Sequence, residues 1–114
     1  VLHKFIFITL IKSTMAKEHR YHDYFKSDKH FHWQSRKSTT QTSPPGLDVM
    51  KHKEYKNDIH LFVRKMDSIE GRTLPFTYCG RINFIDVSGN GPINVNFDLE
   101  TPLSERLKQE FLRV

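Results

Sequence analysis

This 114-residue chain holds one cysteine, Cys79. A lone thiol excludes an internal disulfide and any multi-cysteine zinc site, and a reducing, cytoplasmic setting is expected. Long hydrophobic runs are also missing. The apolar stretch from Leu2 to Ile11 is broken by His3, Lys4 and Thr9. It is too short to span a bilayer and no small-residue cleavage site follows it, so it reads as a buried strand and no membrane partner is expected. Clustered carboxylates are lacking as well. Asp23, Asp28, Asp48 and Asp58 stand singly, whereas two-metal phosphodiester chemistry needs them grouped, so the segment reads as non-catalytic.

Metal-binding words are thin. His19-x-x-His22 and His30-x-His32 each offer two imidazoles, but no His-Glu-x-x-His helix or Cys pair completes a set. An unmetallated basic surface is the expectation, with no metal and no cofactor.

Positive charge is abundant and unevenly placed. Residues 1–65 carry 13 Lys/Arg against 6 Asp/Glu, while residues 66–114 carry 5 against 7. Six of the seven histidines lie in the first 52 residues. A basic half suits a polyanionic partner, most simply DNA, and equally suits a solvated surface that keeps the chain soluble. The length allows one domain, 1–114, with a core of its own. The chain opens on Val1 rather than Met, as expected of a piece of a longer protein.

The periodicities point to strands. Phe5 to Ile11 is β-branched and aromatic, and is expected to be a central strand. Residues 12–30 read as irregular with one helical turn, and Lys37 to Gly46 as a loop. Residues 47–55 could form a short helix. Asp58 to Met66 and Phe76 to Val87 read as strands, with a bulge at Gly80. Ser88 to Pro92 is a turn. Ile93, Val95, Phe97 and Leu99 alternate with Asn94, Asn96 and Asp98, the signature of a hairpin strand with one wet face. Thr101 followed by Pro102 reads as the start of a helix whose stripe is Leu103, Leu107 and Phe111. The expected architecture is α+β: a curved, mainly antiparallel sheet or partly closed barrel with a C-terminal helix. Its expected core includes Phe7, Ile8, Leu10, Trp33, Leu61, Val63, Phe76, Phe84, Val95 and Phe97.

Chemistry is densest at Phe31-His32-Trp33-Gln34-Ser35-Arg36, which contains the only tryptophan. In an extended chain Phe31, Trp33 and Ser35 share one face, and His32, Gln34 and Arg36 the other. The first face suits a core, with Phe31 or Trp33 alternatively walling a base pocket. The second offers donors and acceptors of the kind that read a base edge or a phosphate. Arg64 and Arg81 each follow an apolar run, where a guanidinium suits phosphate or guanine contacts or simply covers a sheet edge.

Several words in order carry a resemblance. They are Ile8-Thr9-Leu10-Ile11-Lys12-Ser13, Tyr21-His22-Asp23-Tyr24, Phe31-His32-Trp33-Gln34-Ser35, His52-Lys53, Leu61-Phe62-Val63-Arg64, Pro75 to Gly80, and Leu99 through Leu103. Together they resemble an uncharacterised domain family found at the C-terminus of bacterial DEAD/DEAH helicase-like and modification-dependent restriction proteins. In those proteins a phospholipase-D-type nuclease module precedes the helicase motor. The resemblance implies a PUA- or SRA-like fold and a non-catalytic target-recognition role on duplex DNA, with modified-base reading as its sharpest form. It makes the helicase and nuclease domains of the same parent chain the partners, and leaves cutting to them. On that reading His32, Gln34, Arg36, Lys37 and Arg64 bind nucleic acid. Trp33, Phe62 and Tyr78 are candidate pocket walls, and Lys51 and Lys53 weaker phosphate contacts. The alternative is a structural or protein-docking module of a helicase-like protein.

Overall fold

A computed structural model describes residues 2–11 and 22–113. Among the described residues six strands form one mixed, curled half-barrel sheet, and two helices sit with it. The strands are β1 (Leu2–Ile11), β2 (Tyr24–Phe25), β3 (His30–Gln34), β4 (Asn57–Met66), β7 (Thr77–Ser88) and β8 (Asn94–Leu99), in the spatial order β1-β4-β7-β8-β3-β2. β1 runs parallel to β4, and every other pairing in the sheet is antiparallel. Between β4 and β7 the chain makes a small hairpin, β5 (Ser68–Ile69) with β6 (Arg72–Thr73), whose corner residues Glu70 and Gly71 take φ of 51° and 78°. The helices are α1 (Pro44–Met50) and α2 (Glu105–Phe111). Among the described residues no helix is long and apolar enough to cross a membrane.

Strand alternation divides the sheet into a dry inner and a wet outer face. Ile8, Leu10, Ile59, Leu61, Val63, Ile82, Val95, Phe97, Leu99 and Phe31 are buried on the inner face. Both helices close on it. Phe111 of α2 stacks on Phe25 at 5.8 Å, and Val49 of α1 joins the same core. Two bulges bend β7. Leu61 faces Gly80 while Phe62 faces Tyr78, so Cys79 is the extra residue of the first, and Gly80 takes φ 91°. Ile85 is the extra residue of the second.

Several expectations need correcting. β1 is an edge strand, not a central one, and Phe7 lies 57% exposed on its outer face. Phe76 packs edge-on against Phe7 on that face rather than in the core. Trp33 and Phe84 are half-buried against the core, and the remaining expected core residues are buried. Pro44 to Gly46 begin α1 instead of ending a loop. α2 starts three residues later than expected: Leu103 is pulled into the core with its N–H on the Asp28 carbonyl (2.8 Å), so Ser104 becomes the cap, accepting from the Leu107 N–H. Within residues 12–30, Tyr24–Phe25 forms β2, while residues 12–21, with His19, lie outside the described residues.

Candidate nucleic-acid interface

Where the half-barrel stays open, its inner face frames a cavity of about 480 Å³. Lys4, Phe5 and Ile6 of β1, Ile59 of β4, Trp33 of β3, and Pro45, Asp48 and Val49 of α1 line it. That volume lies within the range of small-ligand sites, roughly 300–1,000 Å³. Its walls are mostly apolar, with one polar pair: Lys4 Nζ donates to Asp48 Oδ2 at 3.2 Å. The local sequence explains each position. Lys4 shares the inward parity of Ile6, Ile8 and Leu10, and escapes burial because it sits at the open end of the strand. Trp33 shares the parity of Phe31, which is fully buried, but lies two residues nearer the mouth and packs on Phe97 at 6.2 Å. α1 is held over this end by His52, whose Nε2 accepts the Phe84 N–H (3.1 Å) and whose Nδ1 donates to the Asn57 carbonyl (3.0 Å). Gly46 allows the close approach, since a Cβ there would lie 2.0 Å from the Thr40 carbonyl oxygen.

The same end of the sheet is basic. The register places the start of β1, the start of β4, the end of β7, the start of β8 and the end of β3 together. Arg36 and Lys37 follow β3, and Lys51, Lys53 and Lys56 follow α1; all five are exposed. Three bonds strap the Arg36–Lys37 loop to the turn after β7. Gln41 donates from its N–H to Asn90 Oδ1 and from Nε2 to the Gly89 carbonyl, both at 2.8 Å, and Gly91 N–H donates to the Thr39 carbonyl.

The other expected site residues lie on the outer face. His32 Nδ1 donates to the His22 carbonyl at 2.8 Å and its ring stacks on Tyr24 at 4.7 Å. Gln34 Nε2 donates to Asn94 Oδ1, and its N–H goes to the buried Asp23 carboxylate at 2.9 Å. Arg64 spends its guanidinium on Thr9 Oγ1, the Leu74 carbonyl and the Phe76 ring, 4.3 Å away. Phe62 stacks on Phe7 at 4.8 Å and meets Tyr78 at 5.0 Å. The structure therefore does not assemble one pocket from these residues. Trp33 faces inward, whereas Phe62 and Tyr78 face outward. His32 pairs with Asn96, which faces Asp86. Asp86 lies roughly 25 Å along β7 from Tyr78 at 3.3 Å per residue. The polar groups beside Trp33 are Lys4 and Asp48, not His32 and Gln34. A charge at an inward position of an apolar strand was the signal for Lys4; nothing local marked Asp48.

A half-barrel domain with an inward cavity at its charged end is the class that fold and site define. The chain belongs to the family described as "Domain of unknown function (DUF3427)", whose model matches residues 2–111. No curated protein matches it.

Proposed function

We propose that this is a non-catalytic DNA-binding domain that recognises its target for a larger helicase-nuclease or restriction protein in the cytoplasm, and that the Trp33 cavity receives a base, a modified one in the sharpest form. The observation that carries the reading is an aromatic-walled cavity opening at the basic end of the sheet. A base drawn from a duplex forfeits stacking worth a few kcal/mol, and one aromatic contact returns on the order of 1–3 kcal/mol. Asp48 can accept from the exocyclic amine of cytosine, and Lys4 can donate to a carbonyl on the same ring. Arg36, Lys37, Lys51 and Lys53 supply phosphate contacts around the mouth. Arg64, bonded to Thr9 and Leu74 toward the opposite end of β1 and β4, takes no part at the mouth. The curled sheet holding an inward pocket agrees with the likeness to SRA and PUA-like folds.

Trp33 makes the test direct, because it is the only tryptophan. Titrating duplexes with and without 5-methylcytosine should quench its fluorescence, more strongly for the preferred duplex. Asp48→Asn should weaken the quenching by both duplexes, since cytosine and 5-methylcytosine share the exocyclic amine it accepts from, while leaving non-specific affinity. Arg36→Ala with Lys37→Ala should lower the salt slope by roughly one to two units. Absence of any duplex binding at low salt would overturn the proposal.

The docking alternative is favoured by one separate observation. Phe5, Phe7 and Tyr78 are half or more exposed on the outer face, in a continuous aromatic row through Phe62. Such a row suits a protein surface of the parent chain. Phe7→Ser would then break association with that partner while leaving DNA binding intact.

A further inference from the structure

On the outer face at the start of β1 and β4, His3, Asp58 and His60 converge with their ligand atoms all within 4.8 Å of one another. We infer that these three side chains form a binding site for a divalent transition-metal ion, Zn²⁺ foremost. Parallel pairing builds the cluster. His3 faces Asp58 in register, and His60 follows two residues along β4 on the same side. His3 Nδ1 lies 2.9 Å from His60 Nε2 and 3.9 Å from Asp58 Oδ2.

Those separations are close to what an ion demands. Two nitrogens each about 2.05 Å from a tetrahedral ion stand about 3.3 Å apart, so the imidazoles need only part by a few tenths of an ångström. Relative to His3 the carboxylate oxygen needs to move in by about 0.6 Å to reach the same spacing, and it already lies within 4.8 Å of the His60 ligand atom. Two imidazoles and one carboxylate select Zn²⁺, Ni²⁺ or Cu²⁺ over Mg²⁺ or Ca²⁺, which prefer oxygen throughout. Three protein ligands on an exposed face leave the fourth position to water.

An outer ring of contacts supports the assignment. The β7 bulge sends both Tyr78 and Arg81 to the outer face, flanking His60. His60 Nδ1 lies 2.6 Å from Tyr78 Oη, so with Nε2 on the metal the Nδ1 proton is donated to the phenol oxygen and the ring orientation is fixed. Arg81 shares the Asp58 carboxylate, its Nη1 lying 3.9 Å from Oδ2 just as His3 Nδ1 does. Yet its shorter bond, Nε to Glu100 at 2.9 Å, anchors the guanidinium away from the cluster. A bound ion would cross-link the edge strand β1 to β4.

The test is calorimetric titration of Zn²⁺ into untagged, chelator-stripped protein, repeated with Co²⁺ followed by visible absorption. One equivalent should bind, with the intense cobalt bands of low coordination number. His3→Gln and His60→Ala should each weaken binding at least tenfold, while His30→Ala leaves it unchanged. Far-ultraviolet circular dichroism checks that the variants fold, and His3→Gln, an exposed edge position, carries the test should His60→Ala unfold. No stoichiometric binding by the wild type, a weak water-like cobalt spectrum, or unchanged affinity in folded His3→Gln would each overturn the inference.

Discussion

Cys79 shows how one side chain records its surroundings. Burial in the bulge, reinforced by the negative charge of Glu110, pushes its thiol up to about 12 from 9.0. The folded state thus favours the neutral thiol, and the unfolded chain loses its proton first as pH rises. The thiol's contribution to stability is therefore intact below about pH 9 and declines up to about 12, by about 1.4 kcal/mol per pH unit. Denaturant melts of wild type and Cys79→Ala across that range should diverge with this slope; parallel curves would refute it. His52 is the other instructive residue. It is 2% exposed, and both ring nitrogens are bonded to backbone. Because Nε2 accepts an N–H, the ring is the neutral Nδ1-protonated tautomer. His52→Ala leaves a buried N–H and a carbonyl unpaired and should cost about 2–4 kcal/mol, measured by urea unfolding.

At the scale of elements, the strand most legible in the sequence was β8. Its inner residues meet a core and its outer ones meet water, so period two was written into residue type. β1 was misread for the opposite reason. Phe5 and Phe7 match Ile6 and Ile8 in hydrophobicity, and a strand apolar on both sides looks central whether or not anything covers its second face. Its parallel partner was invisible too, because Leu2 pairs with Asn57, fifty-five positions on, and no local pattern encodes that register. α2 shows a competition between equivalent signals. Thr101-Pro102 and Ser104 both satisfy helix-start chemistry, and the burial of Leu103 decided between them. The candidate site divides in the same way. Trp33 stood out by its chemistry, whereas its companions Lys4 and Asp48 come from elements 29 and 15 residues away and meet it only through the curl of the sheet.

For the whole molecule, the separation of faces implies separable activities. The cavity and its lysines occupy the inner face and open end, while the aromatic row and the His3–Asp58–His60 cluster occupy the outer one. Phe5 belongs to both, lining the cavity and joining the row. Other substitutions in one set should leave the other's readout unchanged, and a double variant should behave additively. The position of β1 carries one more consequence, visible in time rather than in space. Its far side has no strand partner among the described residues, so in a parallel edge strand every second amide points away from β4. Amide hydrogen exchange along residues 2–11 should therefore alternate between fast and slow. The slow set should report the opening of this edge alone, at a lower free energy than the amides of β4 and β8. Uniform protection along β1, equal to that of β4, would mean that the strand opens only when the entire sheet does.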